Sequence, residues 1–343
     1  MKNKLTLGLL CLVFMNLNAQ ETTEEKKLSI SGSVDAYFRT NLTGPNEAFD
    51  DGEGGSYFLN PGTAFADRSG FSLGMANVIL SYEGEKVGFV ADLVFGPRGE
   101  AAVFLSSPSN NIVNQLYAYW NVSESVTLTL GNFNTFLGYE VISPVANFNY
   151  STSYMFSYGP FSHTGLKADI ALSEDFSLLL AVMNSTDFTE INLDGSYTFG
   201  AQLGYKGNYL NFIYGNQTGN SEATFQVDYT SGFDLSEEFY LGVNGTYNDT
   251  DGSGFYGAAL YPQYTLSEKL SLGVRGEYFG MFADGADDET VIAATLSANY
   301  KVADLTIIPE VRLDSWSSEF YFDNDLEPTK SLASFLLAAV YKF

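Results

Sequence analysis

The sequence predicts an all-β fold, a transmembrane up-and-down antiparallel β-barrel of about sixteen strands. Three observations predict it. Apolar and polar residues alternate with a period of two along most of the chain. Adjacent side chains on a strand point to opposite faces, so each such segment separates an apolar from a polar environment. The segments number about sixteen and run to roughly ten residues, the length a tilted strand needs to cross a bilayer. The links between them alternate short and long, as in barrels with tight turns on one rim and longer loops on the other.

In chain order, residues 1–19 read as a secretory signal: Lys2 and Lys4, an apolar run from Leu5 to Phe14, then small Ala19. The run is too short to span a bilayer as a helix. The cut is expected after Ala19, although Leu17 is larger than the residue usually found two places before a cut. Bulky Leu9 and Leu10 argue against a lipoprotein cut before Cys11. Removing 1–19 removes the one cysteine and takes the formal charge from −25 to −27 by loss of Lys2 and Lys4. So acidic a chain has no general attraction for nucleic acid or anionic lipid. Residues 20–343 are then expected to form one barrel.

In "LSISGSVDAYF", Leu28, Ile30, Val34, Ala36 and Phe38 share one face, and Ser29, Ser31, Ser33, Asp35 and Tyr37 share the other. The same pattern places strands over 28–39, 71–83, 86–96, 112–120, 126–132, 162–172, 176–184, 197–206, 209–216, 224–233, 239–248, 255–264, 270–279, 290–301, 305–314 and 332–343. Short links such as "NVSES", "LSED", "LSEE" and "LSEK" repeat a Ser-Glu turn at Ser123, Ser173, Ser236 and Ser267. Near the turn-side ends, the apolar face carries Tyr82, Trp120, Tyr205, Tyr229, Tyr264, Tyr300 and Tyr341, with Leu172 the exception. Tyr and Trp gather at membrane interfaces, so this is an expected lipid-facing girdle. A water-soluble sandwich would also alternate, but it would turn a charged face outward. In "LLAAVYKF", Phe335, Leu337, Ala339, Tyr341 and Phe343 are expected to face lipid, the strand closing the barrel against the first.

Catalytic chemistry finds little support. His163 is the one histidine. Its neighbours Ser162 and Thr164 fall on the opposite strand face, no Gly-x-Ser-x-Gly elbow occurs, and a lone polar residue at the rim is the expected role. His/Cys metal sites are excluded by number, and no cofactor is expected. Acidic clusters at 47–53, 284–289 and 319–327 could hold divalent cations bridging lipopolysaccharide, but solvated loops are the favoured reading.

The polar face says more. Parity turns Asp35, Asp92, Asp169, Asp228, Glu277, Glu310 and Asp314 inward, together with Arg39, Lys167, Lys206, Arg275, Arg312 and Lys342. A wall with both signs suits a hydrated passage, and ion pairs filling a closed lumen are the alternative. Local pairing of Arg275 with Glu277, and of Glu310 with Arg312, is allowed. The long link within 131–160 holds Phe136, Tyr139, Phe148, Tyr150 and Tyr154, with Glu140 its one charge. A loop this apolar should not wave in water, so it is expected to fold into the lumen and narrow it; packing on a neighbouring barrel is the alternative. Lumen aromatics could stack on sugars, and they serve packing equally well.

The stretches "LGNFNTFLGYEVISPVANFNYSTSYMFSYGPFSHTGLKADI" (130–170) and "VGFVADLVFGP" (87–97) resemble the β-barrel porins described as OmpL-like. The resemblance implies a porin in the outer membrane of a Gram-negative bacterium and brings no catalytic residue. The terminal Phe343 resembles the signal that engages the barrel assembly machinery. The expected function is passive diffusion of small hydrophilic solutes, mildly cation-preferring, with outer-membrane lipid, lipopolysaccharide and self-association as partner expectations. The alternative is a closed barrel acting as an adhesin or structural surface protein.

Overall fold

A computed structural model describes residues 28–52, 55–107, 110–217 and 222–343. The signal segment 1–19 and Glu53 of the first acidic cluster lie outside these residues. The barrel strands are β1 (Leu28–Asn41), β2 (Gly70–Glu83), β3 (Val87–Phe95), β4 (Val113–Ser123), β5 (Val126–Asn134), β6 (Ser162–Ala171), β7 (Phe176–Met183) and β8 (Thr198–Tyr205). They continue with β9 (Asn208–Asn216), β10 (Ala223–Asp234), β11 (Phe239–Thr250), β12 (Ser253–Ser267), β13 (Leu270–Ala283), β14 (Glu289–Val302), β15 (Leu305–Trp316) and β16 (Ser331–Lys342). Each pairs antiparallel with its sequence neighbours, and β16 returns to β1 to close the sheet. The expected strand count holds, with ends shifted by a few residues.

Closure is a backbone seam. Ser33 lies opposite Lys342 and Asn41 opposite Ser334. Beyond the ladder, the Phe343 and Gly32 amides donate to each other's carbonyls at 3.0 and 3.1 Å. A sheet closed this way has no edge to satisfy, which a lipid environment demands.

The repeated turn has a local cause. At three tight hairpins the serine hydroxyl accepts from the backbone two and three residues on. Ser173 takes the Phe176 amide at 3.1 Å, Ser236 the Phe239 amide at 3.0 Å and Ser267 the Leu270 amide at 3.2 Å. Such hydroxyl-capped turns mimic a backbone turn, which is why the motif recurs without a sequence repeat.

The girdle faces outward. Trp120, Tyr205, Tyr229, Tyr264, Tyr300 and Tyr341 are all exposed, as is Leu172 in the gap. No helix among the described residues is long and apolar enough to cross a membrane. The two short helices, α1 (Pro97–Ala102) and α2 (Tyr154–Tyr158), sit in the long links.

On the loop rim, Asp187 between β7 and β8 ties that link down. Its carboxylate accepts from the Phe161 and Ser162 amides at 2.7 and 2.9 Å. Burial pushes its pKa up to about 6, and those two amides only partly offset the shift. The folded state therefore holds this proton more tightly than the unfolded chain does. The stabilising contribution is complete below the ordinary carboxylate range and is lost as pH rises through about 6. Protection factors of the Phe161 and Ser162 amides are expected to fall between pH 4 and pH 7, by up to roughly a hundredfold. The same measurement on Asp187→Asn should give a flat profile.

Candidate functional site

The link between β5 and β6, hereafter loop 3, does not stand on the rim. It runs through the barrel, and wall carboxylates catch its backbone. Glu277 of β13 accepts from the Tyr154 and Met155 amides at 2.9 and 2.8 Å. Glu310 of β15 accepts from the Tyr150 amide at 3.1 Å and from the Ser151 hydroxyl. Asp228 of β10 accepts from the Gly138 amide at 2.9 Å. Asp35 of β1 takes the Tyr150 hydroxyl at 2.5 Å. Irregular loop backbone and the first turn of α2 (Tyr154–Tyr158) both have amides without a local partner, and inward carboxylates supply the acceptors that water would otherwise provide.

Arginines bind the loop's other groups. Arg275 pairs with Glu140 of the loop at 2.7 Å and donates to the Ser151 carbonyl at 2.5 Å, with both charged side chains almost wholly buried. Glu140 in turn accepts from the Ser153 amide at 2.7 Å. Arg312 pairs with Asp314 at 2.9 Å and donates to the Thr152 carbonyl at 2.8 Å. The local pairs Arg275–Glu277 and Glu310–Arg312 therefore do not form. Arg275 turns to Glu140 and the Ser151 carbonyl of the loop, Arg312 to Asp314 and the Thr152 carbonyl, while loop amides take both glutamates.

Apolar clusters pack between the loop and the wall where alternation alone expects a wet wall. Tyr154 and Met155 pack on Phe255, Phe279, Val291 and Trp316 of the wall. Tyr150, fully buried, packs with Ile308, Leu336, Ala338 and Val340. Phe136 packs with Phe133, Leu179 and Met183. Parity gives the face of a side chain but not what later covers it. Asp35, Arg39, Asp92, Asp228, Arg275, Glu277, Glu310, Arg312 and Asp314 point inward and are all buried. Arg39, Glu310, Arg312 and Asp314 border an interior space of about 10 Å³, about one water's worth.

The remaining expected residues divide. Lys167 and Asp169 pair with each other at 2.5 Å on the inner wall and stay partly exposed. Asp92 is held by Asn77 and Asn114 at 3.2 and 2.7 Å rather than by a cation. Lys206 is not in the lumen. With φ of +50° it forms the turn after β8, where strand parity no longer applies, and it pairs with Asp175 at 3.3 Å in the open. His163 is not a rim residue either. It is fully buried on the inner wall, 2.9 Å from the Thr135 hydroxyl and 5.3 Å from the Phe136 ring centre, because loop 3 covers it. Among the described residues, no group of three or more His, Cys, Asp or Glu side chains is placed to hold a metal ion.

Some contributors escape sequence reasoning. Arg98 of α1 is buried, donates to the Ile142 carbonyl of loop 3 at 2.9 Å and lies 5.1 Å from the Tyr150 ring centre. Thr63, in the first outer link, bonds the Thr152 carbonyl at 2.6 Å. Asn149 reaches Ser297 of β14 at 2.7 Å. The one available signal is an arginine in "FGPRGEAA", where Glu100 is the one other charge.

One glycine is required by this packing. Asp35 reaches into a bulge in β2, where it accepts from the Met75 amide at 3.1 Å. A Cβ on Gly74 would lie 1.6 Å from the Asp35 carboxylate.

Known proteins can be set beside this geometry. No curated protein matches the chain in sequence. Solved structures that share its fold include three outer-membrane proteins. An anion-selective porin from Comamonas acidovorans aligns with a TM-score of 0.63 at 9% identity, over 93% of this chain and 100% of that one. Outer-membrane expressed OmpT of Vibrio cholerae aligns at 0.55 and 11% identity, over 94% and 99%. OccAB3 of Acinetobacter baumannii aligns at 0.50 and 8%, over 92% and 98%. At such identities the likeness is one of fold. The family described as "Putative beta-barrel porin-2, OmpL-like" matches residues 27–343. The chain belongs to that family, and its barrel is an outer-membrane porin channel.

Proposed function

We propose that the barrel passes small hydrophilic solutes down their gradients, with loop 3 setting the aperture. The way the loop is held carries this reading. Sixteen strands enclose more space than their own side chains fill, and here loop 3 takes up much of the surplus, with Phe65 of the first outer link and Ala102 of α1 packed beside it. Its anchors are hydrogen bonds and one ion pair to the wall, with Glu140–Arg275 near the centre of the set. Such contacts fix an aperture and can be tuned residue by residue.

A mild cation preference would come from the outer links rather than from the interior. Inside, buried carboxylates outnumber buried arginines, but each is taken up by hydrogen bonds or an ion pair within the protein. Asp50, Asp51, Asp284, Asp287, Asp288, Glu289 and Glu327 stand exposed on the loop rim. Their field falls off within about 8–10 Å at physiological salt, so the preference should fade as salt rises.

A closed barrel whose outer links act at the cell surface is the second reading. The burial of nine inward charges in the barrel interior favours it. Planar-bilayer recording separates the two. Stepwise conductance in potassium chloride supports the channel, and a trace no different from bare lipid removes it. Glu140→Gln keeps the acceptor for the Ser153 amide but deletes the charge facing Arg275. It is expected to raise single-channel conductance, and an unaltered value would remove loop 3 as the constriction.

A further inference from the structure

Glycines of the inner wall mark a strip of flat aromatic rings on the turn side of loop 3. Tyr240 of β11 lies over Gly232 of β10, where a Cβ would come within 2.0 Å of its hydroxyl oxygen. Tyr139 of loop 3 lies over Gly242 of β11, where a Cβ would meet ring carbon Cζ at 2.5 Å. Phe148 of the loop lies over Gly273 of β13, where a Cβ would meet ring carbon Cε1 at 2.3 Å. A ring can come so close to backbone only where no Cβ intervenes, and it then lies along the wall instead of across the lumen.

The three rings are neighbours. Tyr240 stands opposite Gln263 in register, and Gln263 stands opposite Gly273, the residue under Phe148. The Tyr139 and Tyr240 hydroxyl oxygens are 3.2 Å apart. All three rings and Gln263 are half-buried, and one face of the Tyr139 ring is taken by the Tyr261 ring at 4.2 Å between centres, which leaves Tyr240 and Phe148 as the stacking rings of the strip. No residue paired in register with Tyr240, Gln263 or Gly273 is basic. Asp234 stands exposed opposite Tyr240, while Glu140 beside Tyr139 and Arg275 two residues along the wall from Gly273 are buried and paired with each other.

We propose that this strip binds a neutral saccharide. The proposal rests on the channel reading and adds the class of solute. A pyranose presents a flat face of C–H bonds that stacks on an aromatic ring and an edge of hydroxyls. The two phenols, the Gln263 amide and the Asp234 carboxylate are donors and acceptors for that edge. An anionic ligand would find no cation in register to pair with. An alkyl ligand would cover the phenols and the amide without satisfying them, a penalty that discriminates against it.

The test is saccharide block of single-channel current, with maltotriose added from the turn side and a polyethylene glycol of equal mass as the non-stacking control. Maltotriose is expected to interrupt the current with longer residence than the polymer. Tyr240→Ala should shorten that residence by about tenfold, the weight of one ring stack. Tyr240→Phe, which keeps the ring, should retain most of it, and lipid-facing Tyr247→Ala should leave it unchanged. Equal block by sugar and polymer would overturn the proposal, as would equal residence in Tyr240→Ala and the parent. Should the parent conduct no current, the channel reading falls while the strip is judged separately. Calorimetric titration of the detergent-folded barrel with maltotriose then decides, and the absence of a Tyr240-dependent binding isotherm overturns it.

Discussion

Replacing Arg275 with alanine is expected to release loop 3 from the wall and raise single-channel conductance severalfold. Arg275 is fully buried, and its guanidinium bonds Glu140, the Ser151 carbonyl and the Thr295 hydroxyl, at 2.7, 2.5 and 3.1 Å. Without it, buried Glu140 has lost its cation partner. Breaking a buried pair from one side costs about 3–5 kcal/mol. The barrel ladder does not pass through this contact, so the cost falls on the docked loop rather than on the sheet. The double variant Arg275→Met with Glu140→Met removes both charges and fills the space with apolar volume. It should restore most of the parent conductance, since replacing both partners is often close to neutral. Conductance measured on both variants checks the argument. A double variant as leaky as the single one would place the anchor elsewhere.

Deleting residues 336–343 is expected to abolish assembly altogether. The deletion removes seven of the nine cross-strand pairs between β1 and β16, from Ser33–Lys342 to Arg39–Leu336. It also removes the β15 pairs from Leu305–Tyr341 to Glu310–Leu336. Two strand edges would then face lipid with unpaired backbone groups, each costing several kcal/mol in hydrocarbon. The expected readout is loss of the compact, heat-modifiable band on electrophoresis. Gly32→Val should act in the same direction more mildly. Its Cβ would meet the Asn77 carbonyl oxygen at 2.1 Å and the Phe343 ring at 2.7 Å, within the seam itself. A deletion variant that still folds to a compact band would remove the seam argument.

The barrel was legible because lipid and interior impose a period of two, and a parity error in any strand would have shown as charge on the lipid face. Strand number, turn chemistry and girdle all follow from that one constraint. Loop 3 was legible as an inward segment because so many aromatics with one charge have no place in water. What parity could not reach was depth and competition. It turned Arg275 and Glu277 to the same face two residues apart, which invited a local pair. Only the folded loop brings Glu140 to the arginine and two amides to the glutamate. Lys206 was misplaced because the pleat ends one residue before it. Arg98 and Thr63 lie in links, where no periodicity speaks.

The carboxylates that hold loop 3 also measure the barrel. Asp35, Asp228, Glu277 and Glu310 sit on four strands, 90 to 160 residues from the loop groups they bind. A slip of one residue in any of those strands would turn its carboxylate outward to lipid and leave a loop donor unmet. The loop can therefore seat only in a wall whose register is right at four separate places. Insertion of the loop becomes a late checkpoint on assembly, and a mispaired barrel would betray itself by leaving that loop outside, open to a protease.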